Sequence, residues 1–421
     1  MKISISASNI RGNVIAPPSK SYTLRALICA ALADGASRLV HPLSADDTEA
    51  AKAVLGKIGV DIKCQADSWM VAGGRFRRPD GDLYCADSAA TLRFMTAVCS
   101  LVPGESRLTA GTTLAKRPVG PLIDALKQLG VPCAAGDGKP PVTVHGGKFK
   151  GGSASLPGNV SSQFVSSLLL AAPLAEDGVR ISITPPLESR PYVQMTLDCM
   201  HKFSVQVESS PDLLKYEVRR QQYKAAEYII EGDWSSASYL LAMGAVGGEV
   251  TVENLDPGSS QGDKAVLDFL KDMGADIAVE NNTITVKKSA LKAIKADLSD
   301  CTDLLPTMAA LAAVADGASE FTGIARARIK ESNRVAAVRE GLENMGIVVA
   351  EGEDKLTITG SRPSRRAVID CKDDHRIAMA FSIPGVAFGD ILLNGAECVA
   401  KTFPTYWQEL ERLGGVIQRD E

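Results

Sequence analysis

Hydrophobic residues along this chain gather in two recurring patterns. The first is a run rich in Ala and Leu, apolar nearly all the way round a helical wheel, which stops at Gly and leads into a short alternating stretch. It occurs as ALICAALADGASR, FMTAVCSLVPGESR, SLLLAAPLAEDGVR, YLLAMGAVGGEVT, MAALAAVADGASE and MAFSIPGVAFGDI, and its glycines at 35, 104, 178, 247, 317 and 389 lie 69, 74, 69, 70 and 72 residues apart. The second pattern has one apolar and one polar face and ends in a Gly turn before a strand: VLGKIGVDI, ALKQLGVPC, CMHKFSVQV, FLKDMGADI, LENMGIVV and ELERLGGVI, with Phe203-Ser204 replacing the Gly turn in the third.

Each copy predicts a strand, an apolar helix, a strand, an amphipathic helix, a turn and a strand, with room for one more strand before the next copy begins. Gly at a helix end supplies the left-handed conformation that a C-cap often needs, and the alternation of helix with strand indicates an α/β protein. A helix apolar on every side has to be buried, whereas the amphipathic one keeps a face for solvent. Six buried helices divide most simply into two domains of three. Pro17-Pro18 interrupts the first strand, because adjacent prolines cannot continue a ladder. A second crossing falls near YIIEGD, residues 228–233, close to the middle of the chain. The expected arrangement is an inserted domain over 18–230 and a discontinuous one over 1–17 and 231–421, hinged near 15–18 and 228–232.

Composition narrows the class. The 421 residues are 45% hydrophobic, enough for large cores and too long for one ordinary domain. The longest apolar runs fall well short of the roughly 20 residues of a membrane helix. The N-terminus alternates like a strand and lacks the apolar core of a signal peptide, so a cytoplasmic protein is expected. Nine scattered cysteines without a CxxC pair, and only four histidines, point to reduced thiols rather than a disulfide frame or a metal centre. With net charge −4 and 5% aromatics the chain is a poor candidate for nucleic acid, so any anion site has to be local.

Local sites of that kind recur. ARARIKESNR, residues 325–334, sets Arg326, Arg328, Lys330, Glu331 and Arg334 ahead of VAAVREGLENMG. On a continuous helix Lys330 and Arg334 share a face. PPSKSYTLRALICAALA brings Lys20, Ser21 and Arg25 to the start of a buried helix, where amide donors, a hydroxyl and a cation suit a phosphate. It is not a P-loop, since GxxxxGK[ST] is absent. CADSAATLRF carries Asp87, Ser88 and Arg93; GTTLAKRPVGP sets Lys116 and Arg117 before Pro118, read as the first-turn proline of a helix. Ser161, Ser162 and Gln163 precede the third apolar helix, and LESRPY supplies Ser189, Arg190 and Tyr192. Asp303 stands at the head of the fifth apolar helix, where N-capping is the ordinary explanation. Asp374, His375 and Arg376 precede the sixth, and Lys401 follows in a strand-to-helix corner. Capping or solvation explains any one of these alone. Together, in an acidic chain, they suit a ligand with several negative charges, with Asp303 and Glu331 as the candidates for proton transfer.

PSKSYTLRA, AKRPVG, VSSQF, SRPY, EGDWSSASY, IKESNR, DDHRIAMAF and AKTFP, in that order from Pro18 to Pro404, resemble the 5-enolpyruvylshikimate-3-phosphate synthases, the 3-phosphoshikimate 1-carboxyvinyltransferases. The resemblance implies an inside-out α/β fold of two domains, each with three βαβαββ units, closing on substrates. It implies transfer of the enolpyruvyl group of phosphoenolpyruvate to the 5-hydroxyl of shikimate 3-phosphate through a tetrahedral intermediate, in the pathway to chorismate and the aromatic amino acids. No metal or organic cofactor is implied, the partners are the two small-molecule substrates, with no nucleic acid or membrane, and a monomer is expected. Carried over by position, shikimate 3-phosphate would meet Lys20, Ser21, Arg25, Ser161, Ser162, Gln163, Ser189, Tyr192, Asp303 and Lys330. Phosphoenolpyruvate would meet Lys20, Ala89, Arg117, Gln163, Arg334, Arg376 and Lys401. Asp303, Glu331 and Lys20 would be catalytic.

Three positions depart from the family pattern. Asp87-Ser88-Ala89 stands where Asn-Ala-Gly is usual, so a carboxylate replaces an amide near anionic substrates. Ala89 adds a methyl group beside phosphoenolpyruvate, a change associated in the family with reduced glyphosate sensitivity, and weak inhibition by that compound is expected. Arg326 replaces a common Asn. The sister enzyme acting on UDP-N-acetylglucosamine is disfavoured because its loop cysteine has no counterpart in GTTLAKRP.

Overall fold

In the computed structural model, which describes residues 1–420, the six copies appear as six four-stranded sheets with one plan. In each, two parallel strands are followed by two antiparallel ones. Lys295–Asp297 runs parallel to Ala318–Thr322, which is antiparallel to Lys355–Thr359, itself antiparallel to Val348–Glu351. Parallel neighbours need a crossover, and the apolar helix supplies it: Leu305–Val314 lies in sequence between Lys295–Asp297 and Ala318–Thr322.

Burial follows the hydrophobic pattern. The apolar helices Lys20–Leu32, Ala89–Val98, Ser162–Ala171, Trp234–Gly247, Leu305–Val314 and His375–Phe388 are buried along almost their whole length. The strands alternate, as in Val179–Thr184, with one face on the core and one exposed. Helices therefore lie inside and sheets outside, the reverse of the usual α/β layering. Where a sheet meets the end of its helix there is no room for a side chain. A Cβ on Gly146 would stand 1.9 Å from the Cys99 carbonyl oxygen, and one on Gly360 would stand 1.8 Å from that of Ala315. These are corresponding positions of two copies.

By contacts the chain forms two compact units, Met1–Pro17 with Glu231–Glu421, and Pro18–Ile230. In the first unit the three apolar helices pack on one another. In the second, Ala89–Val98 packs on Ser162–Ala171, while Lys20–Leu32 packs on the amphipathic helix Arg190–Lys202 and on the strand Ser68–Gly73. The N-terminal segment differs from the single strand expected of it. It makes two strands: Lys2–Ser6 lies between Ile391–Asn394 and Val416–Asp420, and Ile10–Ile15 runs parallel to Gly248–Glu253. The first copy thus lacks its own leading strand, and Glu227–Ile229, from the far end of the Pro18–Ile230 unit, pairs parallel with Gly35–Val40 instead. Among the described residues no helix is long and apolar enough to cross a membrane.

Candidate active site

Polar side chains collect at the N-termini of the buried helices, where amide donors of the first turn need acceptors. Ser19, Ser88, Ser161, Asp233 and Asp374 cap five of the six with their side chains. Only Leu305–Val314 has no side-chain cap. That corrects the reading of Asp303 as a cap. It sits in the preceding turn, Thr302–Leu304, and its carboxylate is taken up by cations.

In the Pro18–Ile230 unit, Lys20 and Ser21 are the first helical residues after the capping Ser19. The Lys20 ammonium lies 3.1 Å from Asp47 Oδ2, a carboxylate at the head of Asp46–Lys57 with only 4% of its surface exposed. A buried carboxylate requires such a partner. Arg25 is buried beneath them. It donates to Thr196 Oγ1 at 2.8 Å and to the Ser21 and Tyr192 carbonyls at 2.9 Å, and stacks against Phe94 and Tyr192. Its guanidinium ties the Lys20 helix to the Tyr192 helix. Burial lowers its pKa.

Arg93 does the same for Ser161 and Gln163. Nη1 donates to Ser161 Oγ at 3.1 Å and to Gln163 Oε1 at 2.8 Å, and Nη2 to the Pro118 carbonyl at 3.2 Å. One arginine therefore fixes the Ser161–Ser162–Gln163 helix start and the corner after Arg117. Ser189 has a left-handed backbone, φ 51°, at the head of Arg190–Lys202. A non-glycine residue held there is uncommon and clusters at functional sites. Arg117 follows the turn Leu114–Lys116. The helix beyond starts at Gly120 with Pro121 in its first turn, so Pro118 precedes the helix instead of opening it. Asp87, expected as a carboxylate among anions, accepts from the Thr113 and Leu114 amides at 3.0 and 2.9 Å. Backbone donors answer its charge. Ala89, beside it, opens Ala89–Val98 and is buried.

In the other unit the ARARIKESNR stretch is not one helix. Ala325–Ile329 is a 3-10 turn and the α-helix begins at Arg334, capped by Asn333. Lys330 and Arg334 nevertheless converge, because both reach Asp303 Oδ1, at 3.1 and 2.7 Å. Arg376 reaches Asp303 Oδ2 at 3.1 Å. Arg334, 1% exposed, also binds Glu331 at 2.6 Å and Asp374 at 2.8 Å, and Ser332 donates to the same Asp374 oxygen at 2.9 Å. Arg326 is buried and directs Nη2 to Thr302 Oγ1 at 3.4 Å. Lys401 ends the turn Ala396–Lys401, which packs on His375–Phe388.

The electrostatics follow from this crowding. Burial raises the proton affinity of Asp303, but Arg376, Lys330 and Arg334 outweigh it and hold the carboxyl well below the usual range. Burial pushes Lys330 down to about 8 against the pull of Asp303. Arg334 also suffers burial, yet Asp374, Glu331 and Asp303 leave its pKa above the usual arginine value.

A profile of the EPSP synthase (3-phosphoshikimate 1-carboxyvinyltransferase) family matches residues 5–410. The chain belongs to this family. A 3-phosphoshikimate 1-carboxyvinyltransferase of Dehalococcoides mccartyi is 46% identical over 422 residues, covering 100% of both chains. The one from Methanocaldococcus jannaschii is 38% identical over 97% of each. A solved EPSP synthase structure from Acinetobacter baumannii superposes with TM-score 0.85 at 27% identity, covering 99% of this chain and 100% of that one. The enolpyruvyl transferase NikO of Streptomyces tendae shares the fold, with TM-score 0.76 at 18% identity. The EPSP synthase family relation establishes the inside-out α/β architecture and the activity expected from the motifs. This is a transferase of the shikimate pathway, EC 2.5.1.19, serving aromatic amino acid biosynthesis.

The residues anticipated from sequence fall into two groups. Lys20, Ser21, Arg25, Ser161, Ser162, Gln163, Ser189 and Tyr192, with Ala89 and Arg117, belong to the Pro18–Ile230 unit. Asp303, Lys330, Glu331, Arg334, Arg376 and Lys401 belong to the other. The motifs did not point to Asp47, Arg93 and Asp374 as site residues, yet these hold Lys20, the Ser161 turn and Arg334. Arg93 and Asp374 stood inside motifs already singled out. Asp47 is a capping-type carboxylate in Asp46-Asp47, and no spacing rule links it to Lys20.

Proposed function

We propose that the two polar clusters perform the family's reaction with the roles that the motifs suggest. Shikimate 3-phosphate engages Lys20, Ser21, Arg25, Ser161, Ser162, Gln163, Ser189, Tyr192, Asp303 and Lys330. Phosphoenolpyruvate engages Lys20, Arg117, Gln163, Arg334, Arg376 and Lys401 and lies beside Ala89. The observation that carries the reading is the single carboxylate of Asp303, gripped by Lys330, Arg334 and Arg376 together.

So gripped, Asp303 is a weak base. The carboxylate and phosphate of phosphoenolpyruvate compete for Arg334 and Arg376, and each cation drawn to the substrate raises the proton affinity of Asp303. The base then strengthens as the donor substrate binds. Asp303 accepts the proton of the 5-hydroxyl while that oxygen attacks C2 of phosphoenolpyruvate. Glu331, with Lys20, delivers a proton to C3, giving a tetrahedral intermediate. Loss of a C3 proton to the same pair expels phosphate and restores the double bond, with the surrounding cations stabilising the leaving group. The residues assigned to this chemistry need no metal or organic cofactor.

The protein is read as cytoplasmic and monomeric, with the two small molecules as its partners and neither nucleic acid nor membrane among them. Its two units are read as domains hinged near 15–18 and 228–232. Purified protein given both substrates should release phosphate, and Lys401→Ala and Asp303→Ala should abolish most of that release. Folded protein with no turnover, or alanine variants as active as the parent, would overturn these assignments.

A further inference from the structure

A second buried carboxyl, absent from the roles above, adjoins the Asp303 cluster. Asp263 lies in the turn Gly262–Ala265 with 2% of its surface exposed. Its Oδ2 accepts from the Ser235 hydroxyl, at the first turn of Trp234–Gly247. Its Oδ1 is buried and has no hydrogen-bond partner. An ionised carboxylate with one buried oxygen unanswered is costly, whereas the neutral acid needs far less.

The surrounding charges decide what its ionisation would do. The Gly262–Ala265 turn, the Thr302–Leu304 turn and His375–Phe388 all pack on Trp234–Gly247, and the charges acting on Asp263 are those of Asp303, Arg376 and the capping Asp233, with Ser235 bonded to it and the Cys301 thiol feeling its charge in turn. On its own turn Lys264 points away to the Pro257 carbonyl at 3.3 Å, and Asp268, Lys271 and Asp272 of the next helix are exposed. Arg376 is therefore the cation that both Asp263 and Asp303 can draw upon. Burial first, and then the negative charge of Asp303, raise the Asp263 carboxyl to about 7, with Arg376 and the Ser235 hydrogen bond opposing.

The geometry points to Asp263 as a positioning residue of the transfer reaction: uncharged it leaves Arg376 to Asp303 and the substrate, and once ionised it competes for that arginine and weakens the use of phosphoenolpyruvate. This rests on the assignment of Arg376 and Asp303 proposed above. Asp263 touches neither substrate in this scheme and acts through Arg376. The proton it loses goes to solvent, so the step is a reversible ionisation without a co-reactant.

The test compares the full-length protein with Asp263→Asn, an uncharged substitute of the same shape, and with Ser235→Ala. For the parent, kcat/KM for phosphoenolpyruvate should fall along an alkaline limb centred near pH 7. In Asp263→Asn the limb should move up toward about 8, where Lys330 loses its proton, while kcat near pH 6 stays within a few-fold of the parent. Ser235→Ala removes a donor to the ionised form, so its limb should move upward as well. A second readout needs no substrate. The infrared carbonyl band of a protonated carboxyl should vanish from the parent between pH 6 and 8.5 and be missing from Asp263→Asn at both. An unmoved limb in either variant, a rate loss in Asp263→Asn equal at every pH, or no such band would overturn the inference. Parent protein that shows the band but no turnover would instead count against the catalytic assignments.

Discussion

The two polar clusters are built from different materials. In the Pro18–Ile230 unit the cations meet mostly neutral acceptors: Arg25 bonds a hydroxyl and two carbonyls, and Arg93 bonds Ser161, Gln163 and a carbonyl. These hydrogen bonds fix the two guanidinium groups in place, which suits a phosphate that must be held still. In the other unit Asp303, Glu331 and Asp374 interleave with Lys330, Arg334 and Arg376. There the charges nearly balance, and small displacements of a cation change proton affinities. The first arrangement favours binding and the second favours proton movement.

Substitutions can break that contrast. Asp303→Asn should lower kcat by about 10³-fold with little change in KM for shikimate 3-phosphate, as expected for loss of a positioned base. Steady-state kinetics decide it, and a pure KM effect would make Asp303 a binding residue. Removing Arg334 takes a buried cation from three carboxylates at once, so Arg334→Ala should cost roughly 3–5 kcal/mol of stability in denaturant titration. Arg93→Ala should act in the opposite sense. It should raise KM for shikimate 3-phosphate by about 10- to 100-fold through the loss of two or three charge-assisted bonds, with kcat changed much less.

A smaller effect tests the packing beneath the Asp303 cluster. A Cβ on Gly341, in the helix headed by Arg334, would stand 2.2 Å from the Phe381 ring of the helix that carries Arg376. Gly341→Ala should destabilise the protein by about 1–3 kcal/mol and loosen both arginines together. Smallest of all is Asp87→Asn. The Thr113 and Leu114 amides keep an acceptor, so stability and KM should stay close to those of the parent. A large fall in KM for phosphoenolpyruvate would show that the Asp87 charge reaches the substrate after all. At the neighbouring Ala89, Ala89→Gly should make the enzyme more sensitive to glyphosate, measured as inhibition against phosphoenolpyruvate.

Within the unit that holds Asp303, two buried carboxyls respond to pH in opposite ways. Asp303 has its pKa depressed, so its contribution to stability is present above the unfolded carboxyl value and is lost as pH falls through the lower folded one. Asp263 runs the other way. Its pKa is raised, so its contribution is complete below the unfolded value and is lost as pH rises to about 7. Thermal unfolding of Asp263→Asn should accordingly show a gain over the parent at pH 8 that shrinks toward pH 4.

Much of this molecule is legible in its sequence. The six copies, the buried helices and the α/β class follow from periodicity alone, because a helix apolar on every side has only one place to go. The candidate residues were legible as polar groups at the heads of those helices, and the ordered motifs tied them to one family. Their partnerships were not legible. Lys330 and Arg334 meet at Asp303 although the chain between them is no helix, and Asp47, Arg93 and Asp374 hold their neighbours across 27, 68 and 40 residues of sequence. Nor did the sequence reveal that a strand from the far end of the Pro18–Ile230 unit completes its first sheet. Local pattern determines which elements form, since propensity and amphipathicity act over a few turns. Which charge answers which is decided only when distant segments are packed together, because Coulomb interactions and burial depend on distance in space and not along the chain.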